Sequence, residues 1–204
     1  ALPSDVARDV GAKVDAASRT IWFEGVGRED CPSKIWPGVG HRQEAEGQEM
    51  TTAQEQFWRG EFGDSYVSRT GVTNWKARVP FWRHVLELTK PRSILEIGCN
   101  AGLNLRAIRH ADPAVDLCGC DINQTALATA ADDGHAVAEA SVFDLAGIWW
   151  EGFDLSVTCG VLIHIGPADI ERAMQSIIAS SKRYVLAVEY ADEKEVEVSY
   201  RGHS

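Results

Sequence analysis

The run Ser93-Ile94-Leu95-Glu96-Ile97-Gly98-Cys99-Asn100-Ala101-Gly102-Leu103-Asn104-Leu105 changes texture twice within a few residues. An apolar run ends in Gly98, a turn of small residues follows, and Leu103, Leu105 and Ile108 open a helical pattern. Strand, tight glycine turn and helix start, in that order, are how an α/β sheet builds a nucleotide pocket. An acid follows in Cys118-Gly119-Cys120-Asp121-Ile122-Asn123. Asp121 stands about 20 residues beyond the glycine turn, the spacing at which a carboxylate accepts from ribose hydroxyls.

Working outward, the pattern predicts strand one over 93–98 and a helix over 102–110, strand two over 115–121 and an alanine-rich helix over 123–132. A third strand over 136–142 leads to Phe143-Asp144. A fourth is expected over 153–158 and a fifth over 183–189. The helix between them starts at Pro167 and turns Ile170, Met174, Ile177 and Ile178 inward. Near-continuous apolar strands alternating with helices call for a parallel sheet covered on both faces, an α/β, three-layer Rossmann-like fold. Upstream, residues 54–62 read as a short helix broken at Gly63-Asp64. Asn74 caps a second helix with Val79, Trp82, Val85, Leu86 and Leu88 on its apolar face, ending before Pro91.

Residues 1–21 carry Val6, Val10, Val14 and Ala17 at helical spacing, which predicts an amphipathic helix. Residues 24–49 dissolve into Gly, Pro and charge, which predicts a loop or disorder. The expected organisation is therefore an N-terminal extension over 1–49, with Met50 a candidate natural start, and a domain over 50–204. Both ends look cut.

A chain of 204 residues supports one domain with a real core. Its net charge of −10 argues against nucleic acid as a partner, because a phosphate backbone needs a basic surface. No apolar run approaches the ~20 residues of a membrane span, and no signal-peptide core is present. Cys31, Cys99, Cys118, Cys120 and Cys159 show no CxxC spacing, so buried free thiols and a cytoplasmic protein are expected. The histidines are scattered without ligand spacing, and no metal is predicted.

Three acids mark successive strands. Glu96 sits inside an apolar run, where a carboxylate is costly unless paired. Asp121 ends strand two. Asp144 follows strand three, where it could accept from the exocyclic amine of a base with Val142 or Phe143 packed nearby. The glycines follow Glu-x-Gly-x-Asn-x-Gly rather than GxGxxG, so the acid of a dinucleotide site is present without its fingerprint.

With these residues in hand, the chain resembles the class I S-adenosylmethionine-dependent methyltransferases over about residues 54–203. Asn100 stands where that family's middle glycine lies, a tolerable change because Asn enters left-handed backbone conformations. More narrowly, three phrases are similar to the methylases associated with pseudaminic acid biosynthesis. They are Glu55-Gln56-Phe57-Trp58-Arg59-Gly60-Glu61-Phe62-Gly63-Asp64-Ser65-Tyr66, Gly160-Val161-Leu162-Ile163-His164-Ile165, and Tyr200-Arg201-Gly202-His203.

The resemblance implies S-adenosylmethionine as cofactor and methyl transfer to a small-molecule acceptor, a sugar or sugar nucleotide of surface-glycan or nonulosonic acid biosynthesis. It implies that Glu96, Gly98, Asn100 and Gly102 cradle the methionine part, that Asp121 holds the ribose, that Ile122 covers the adenine and that Asp144 meets its amine. Cys159 and Gly160 would pass near the sulfonium, while Tyr66 and Arg69 would close over the cofactor, Arg69 toward its carboxylate. His164, on the loop after strand four, is the candidate base for removing the acceptor's proton; the alternative is a structural histidine at the helix start. Glu189, Tyr190, Tyr200, Arg201 and His203 would line the acceptor site, an Arg-His pair suiting a carboxylate or phosphate, unless they form a solvated tail. Tryptophans such as Trp58 and Trp82 read as packing residues more than as sugar platforms. Two other functional readings stay open, a nicotinamide-dependent oxidoreductase and a non-catalytic module that keeps the cofactor pocket.

The family's sheet normally closes with an antiparallel hairpin beside strand five. Too few residues follow Glu189 for a helix and two strands, so a C-terminally truncated domain lacking the final hairpin is expected. Strand five would then be an exposed edge inviting a second copy of the chain, a homodimer.

Overall fold

The computed structural model of the protein describes residues 11–15, 20–24, 51–70, 74–145 and 152–190. Five parallel strands form the centre: β3 (Ser93–Ile97), β4 (Asp116–Asp121), β5 (Ala136–Glu139), β6 (Phe153–Cys159) and β7 (Ser181–Val188). They belong to a seven-stranded sheet in which β3 lies between β4 and β6, in the order β1-β2-β7-β6-β3-β4-β5. The chain leaves β3 toward one side and returns on the other through β6. The carboxyl ends of β3, β4 and β6 therefore flank a crevice where ligands bind in open α/β sheets.

Alternation along each strand builds a core on both faces. Ile94, Leu117, Leu155, Val157 and Leu186 turn to one face, under α3 (Val79–Thr89) and α4 (Leu103–Ala111), where Trp82, Val85, Leu105 and Ile108 meet them. Leu95, Ile97, Cys120, Phe153 and Val185 turn to the other, where Ala173 and Ile177 of α6 (Ile170–Ala179) cover them. Gly119 gives α4 its close approach, since a Cβ there would lie 2.7 Å from both the Cys99 Sγ and the Leu105 Cδ1. The α5 helix (Gln124–Asp132) joins β4 to β5, with Asn123 as its N-cap accepting from the Ala126 N–H at 2.8 Å.

Two helices upstream lean over the carboxyl ends of the strands, α1 (Ala53–Arg59) and α2 (Glu61–Thr70). A capping box starts α1: Thr52 accepts from the Glu55 N–H and Glu55 accepts from the Thr52 N–H. The break comes at Gly60 and not at the expected Gly63-Asp64. Gly63 lies inside α2 because of packing: a Cβ there would sit 1.9 Å from the Trp58 carbonyl oxygen and 2.7 Å from the Asn123 Nδ2. A 3₁₀ turn, Asn74–Arg78, precedes α3 where one continuous helix was expected. Leu88, assigned to the apolar face of that helix, is 59% exposed. The third strand stops at Glu139, short of the predicted 142.

The largest correction lies at the N-terminus. Where a helix was expected over 1–21, Gly11–Asp15 and Thr20–Glu24 are strands β1 and β2, paired antiparallel. Strand β2 also pairs antiparallel with β7, Ile21 opposite Ala187 and Phe23 opposite Val185. The run Thr20-Ile21-Trp22-Phe23 is β-branched and aromatic, and the edge of β7 supplies the backbone partners that an isolated segment lacks. The position beside β7, where the family's closing hairpin was expected to be missing, is thus taken from the opposite end of the chain. The edge on which the expected homodimer rested is covered. The loop expected over 24–49 falls, but for Glu24, outside the described residues, as does the tail from 191 onward.

Candidate functional site

The turn after β3 is built from left-handed backbone. Gly98 has φ of 70° and Asn100 φ of 48°, the conformation expected of an Asn in a glycine's place. A Cβ at Gly98 would lie 2.5 Å from the Val161 Cγ2, so glycine is required for space as well as for backbone. Asp121 holds the turn from the next strand. Its Oδ2 accepts from the Asn100 N–H at 2.8 Å and its Oδ1 from the Asn123 N–H at 2.9 Å. Burial raises the Asp121 pKa, against backbone donors from Asn123, Asn100 and Ile122 that lower it.

Above this turn opens a cleft of about 880 Å³, open solvent included. Ile97, Gly98 and Asn100 line it from β3, Asp121, Ile122 and Asn123 from β4, Ala140, Ser141 and Val142 from the end of β5, and Cys159, Gly160 and Val161 from β6. The opposing wall is Glu55, Trp58, Gly63 and Tyr66 of α1 and α2, with His164 and Ile165 of the loop after β6. Seven of the expected cofactor residues, Tyr66, Gly98, Asn100, Asp121, Ile122, Cys159 and Gly160, thus share one cavity with the expected base, His164.

Others stand elsewhere. Gly102 is the N-cap of α4, away from the cavity, where a Cβ would lie 3.2 Å from the Ala130 Cβ and 3.0 Å from the His135 ring; its glycine serves helix packing. Asp144 does not line the cavity, and its N–H donates to the Ser141 carbonyl at 3.1 Å. At that end of the cleft the carboxylate is Glu55, buried, with Oε1 accepting from the Ser141 hydroxyl at 2.6 Å. Arg69 is exposed, its guanidinium 5.0 Å from the Phe62 ring centroid and 5.8 Å from that of Tyr66. Tyr190 is 80% exposed. Tyr200, Arg201 and His203 lie outside the described residues.

Glu96 is fully buried on the α3–α4 face of the sheet, one residue before the cavity wall. Its Oε1 accepts from the Asn104 Nδ2 at 2.6 Å, while Oε2 has no hydrogen-bond partner among the described residues. The Asn104 Oδ1 in turn accepts from Arg78 at 2.7 Å and from the Trp82 indole at 3.2 Å. Burial, with the Asp121 charge adding to it, pushes the Glu96 carboxyl up to about 8, against the Asn104 hydrogen bond, the Arg78 charge and the backbone N–H of Leu105.

His164 ends a 3₁₀ turn, Leu162–His164, with its ring 4.5 Å from that of Trp58. Burial lowers its pKa, which keeps the imidazole neutral near pH 7. Glu189 supports this loop, accepting from the N–H groups of Val161 and Leu162, each at 3.1 Å. Expected in the acceptor site, Glu189 is in fact a brace and does not line the cavity.

Sequence reasoning did not single out Ser141, Asn104 or Asn123 and placed Trp58 among packing residues. The Thr52-x-x-Glu55 capping box was a legible signal for Glu55. Asn123 links the layers: besides capping α5, its Nδ2 donates to the Trp58 carbonyl at 3.1 Å and to Asp64 at 3.0 Å.

Residues 95–182 match the family model described as a methyltransferase domain. That segment runs from β3 to the start of β7 and holds the turn, Asp121 and the loop bearing His164. Among proteins of curated function, none matches the chain. Of the solved structures, magnesium protoporphyrin IX methyltransferase from Synechocystis is 14% identical, with 71% of this chain and 77% of that one covered at a TM-score of 0.53. A plantazolicin methyltransferase is 19% identical, covering 63% and 53% at 0.50. An S-adenosylmethionine-dependent methyltransferase from Archaeoglobus fulgidus is 18% identical, covering 55% and 49% at 0.46. The chain spans about half the length of the last. What the first two share with this chain is the Rossmann-like fold of class I methyltransferases.

Proposed function

We propose that this chain is an S-adenosylmethionine-dependent methyltransferase acting on a small, sugar-derived acceptor. The observation that carries the reading is the pairing, across one turn, of Asp121 in the cavity wall with the buried, half-satisfied Glu96 carboxyl. A cofactor with a ribose at one end and an ammonium at the other would use both acceptors. The methyltransferase-domain match over residues 95–182 supports it, and the Synechocystis and plantazolicin enzymes were crystallised with the cofactor or its demethylated product. The sugar-derived acceptor rests on the three phrases similar to pseudaminic acid-associated methylases.

Bound S-adenosylmethionine supplies a methyl group on a sulfonium, a carbon already activated for displacement. The residues of this chain hold, orient and exclude water. Asp121 would accept from the ribose hydroxyls with lone pairs left over from its two backbone donors. Ile122 and Val142 would enclose the base, and Glu55 with Ser141 offers acceptors where Asp144 does not reach. Cys159, Gly160 and Tyr66 would surround the methyl end. Alignment of this kind supplies roughly 7–11 kcal/mol of a barrier. His164, held neutral, would take the acceptor's proton. With the cofactor held at saturation at every pH, its lowered pKa predicts a methylation rate flat from pH 8 to below 6.5, falling only as the imidazole protonates at still lower pH. A rate that drops between pH 8 and 7 would remove His164 from that role.

Calorimetry with S-adenosylhomocysteine and with NAD tests the cofactor, and transfer of labelled methyl to a panel of nucleotide sugars tests the acceptor. Binding of the first ligand and none of NAD is expected; the reverse would overturn the reading. Methylation of non-sugar acceptors alone would retain the methyltransferase and discard the sugar.

A further inference from the structure

A carboxyl group fully inside an apolar layer, with one oxygen held and the other without a partner, is an expensive arrangement. The held oxygen is fixed by a chain of donors that starts near the surface. Half-buried Arg78 and the buried Trp82 indole both donate to the Asn104 carbonyl oxygen, which locks the orientation of the amide, so that its Nδ2 faces Glu96 at 2.6 Å. Neither Arg78, Trp82, Asn104 nor Glu96 itself lines the cavity, whose wall begins at the next residue, Ile97. We propose that Arg78, Trp82 and Asn104 are positioning residues that reserve the second Glu96 oxygen for the cofactor's ammonium, and that Glu96 releases a proton to solvent as the cofactor binds. The proposal rests on the cofactor reading above.

Among the described residues, the charged and titratable groups whose fields act with the Glu96 charge are Arg78 before α3, Asp121 at the end of β4, Cys99 in the turn, Cys120 on β4 and Cys159 at the end of β6. Burial holds all three thiols above the usual thiol value, so they stay neutral. Arg78 is the single cation of the set, and Asp121 opposes it. With burial dominant, the empty site keeps Glu96 protonated, near 8. An ammonium against the free oxygen favours the carboxylate, and the proton leaves.

Binding that releases one proton strengthens about tenfold per pH unit. For S-adenosylhomocysteine the affinity should rise about tenfold from pH 6 to 7 and level near 8, where the ligand's own amine, with an ordinary value of about 7.7–8.0, begins to lose its proton. 5′-Methylthioadenosine has the nucleoside and thioether but no ammonium, and serves as the control. Calorimetry at pH 7 in buffers of different ionisation heat should count about one proton released with the first ligand and none with the second.

Arg78→Met should weaken S-adenosylhomocysteine and move its pH dependence upward, with Arg78→Lys restoring part of the shift and 5′-methylthioadenosine unaffected. Glu96→Gln, close in shape, should abolish the proton release. Equal losses for both ligands in Arg78→Met would make Arg78 merely structural and overturn the positioning role. Affinity for S-adenosylhomocysteine that does not vary between pH 6 and 8 would overturn the proton release while leaving the cofactor reading intact. Absence of binding by either ligand at any pH would overturn both.

Discussion

Asp121 is the residue on which the pocket turns. Its carboxylate receives two backbone N–H groups that no other described acceptor serves, Asn100 from the glycine turn and Asn123 from the cap of α5. Asp121→Ala strands both donors, each at about 1–3 kcal/mol, and frees the left-handed turn. A fall of several degrees in melting temperature is expected, with at least a tenfold loss of S-adenosylhomocysteine affinity by calorimetry; undiminished binding would show that the turn holds itself. Glu96 makes a prediction of opposite character. Its folded pKa of about 8 lies above the ordinary 4.5, so the native state keeps a proton that the unfolded chain has lost. The stability tied to this proton is fully present below pH 4.5 and declines as pH rises toward 8. Urea midpoints of Glu96→Gln relative to the parent should therefore improve steadily from pH 5 to pH 8. A constant difference across that range would mean that Glu96 is ionised in the empty protein.

At the scale of elements, the site depends on how closely α1 and α2 approach the sheet. Gly63 and Asn123 set that distance: the glycine leaves room for the Trp58 carbonyl, and Asn123 donates to that same carbonyl and to Asp64. Around this contact Phe62 and Tyr66 each meet Trp58 edge to face at 5.3 Å, and the His164 ring lies tilted against it at 4.5 Å. Gly63→Ala adds one carbon where the backbone already stands, and the two helices must move apart. A cost of about 1–3 kcal/mol is expected, with a shift in tryptophan emission as Trp58 loses its wall and a weaker affinity for S-adenosylhomocysteine. A variant with parental emission and affinity would show that the lid adjusts freely.

The whole molecule is one sheet whose strands arrive from two ends of the chain. Strand β2 covers the backbone edge of β7 along Tyr184, Val185, Leu186 and Ala187. Removing residues 1–24 bares that edge, and an uncovered, apolar edge pairs with whatever strand is available. Light scattering on the shortened chain should show dimers or larger species, and its melting temperature should fall. A shortened chain that stays monomeric and melts as the parent would make the hairpin an ornament.

What the sequence determined by itself was local. The turn after Ile97, the acid at its fixed distance and the apolar alternation of β3, β4, β6 and β7 are short-range patterns, dictated by backbone sterics and burial. Asn100 in the left-handed region was readable for the same reason. Tertiary structure decided the rest. Residues 1–21 carry a helical spacing of valines, yet Thr20–Glu24 is a strand because β7 presents an open row of donors and acceptors, and Gly11–Asp15 pairs with it in turn. Glu189 reads like a pocket acid and serves as a brace, because its partners lie 27 and 28 residues upstream. Asp144 does not line the cavity while Glu55 does, held by a hydroxyl partner 86 residues away. The opening stretch, Ser93 to Leu105, named the kind of pocket; only the packed molecule decided which acids face into it and which residues hold them there, because those contacts join segments far apart in the chain.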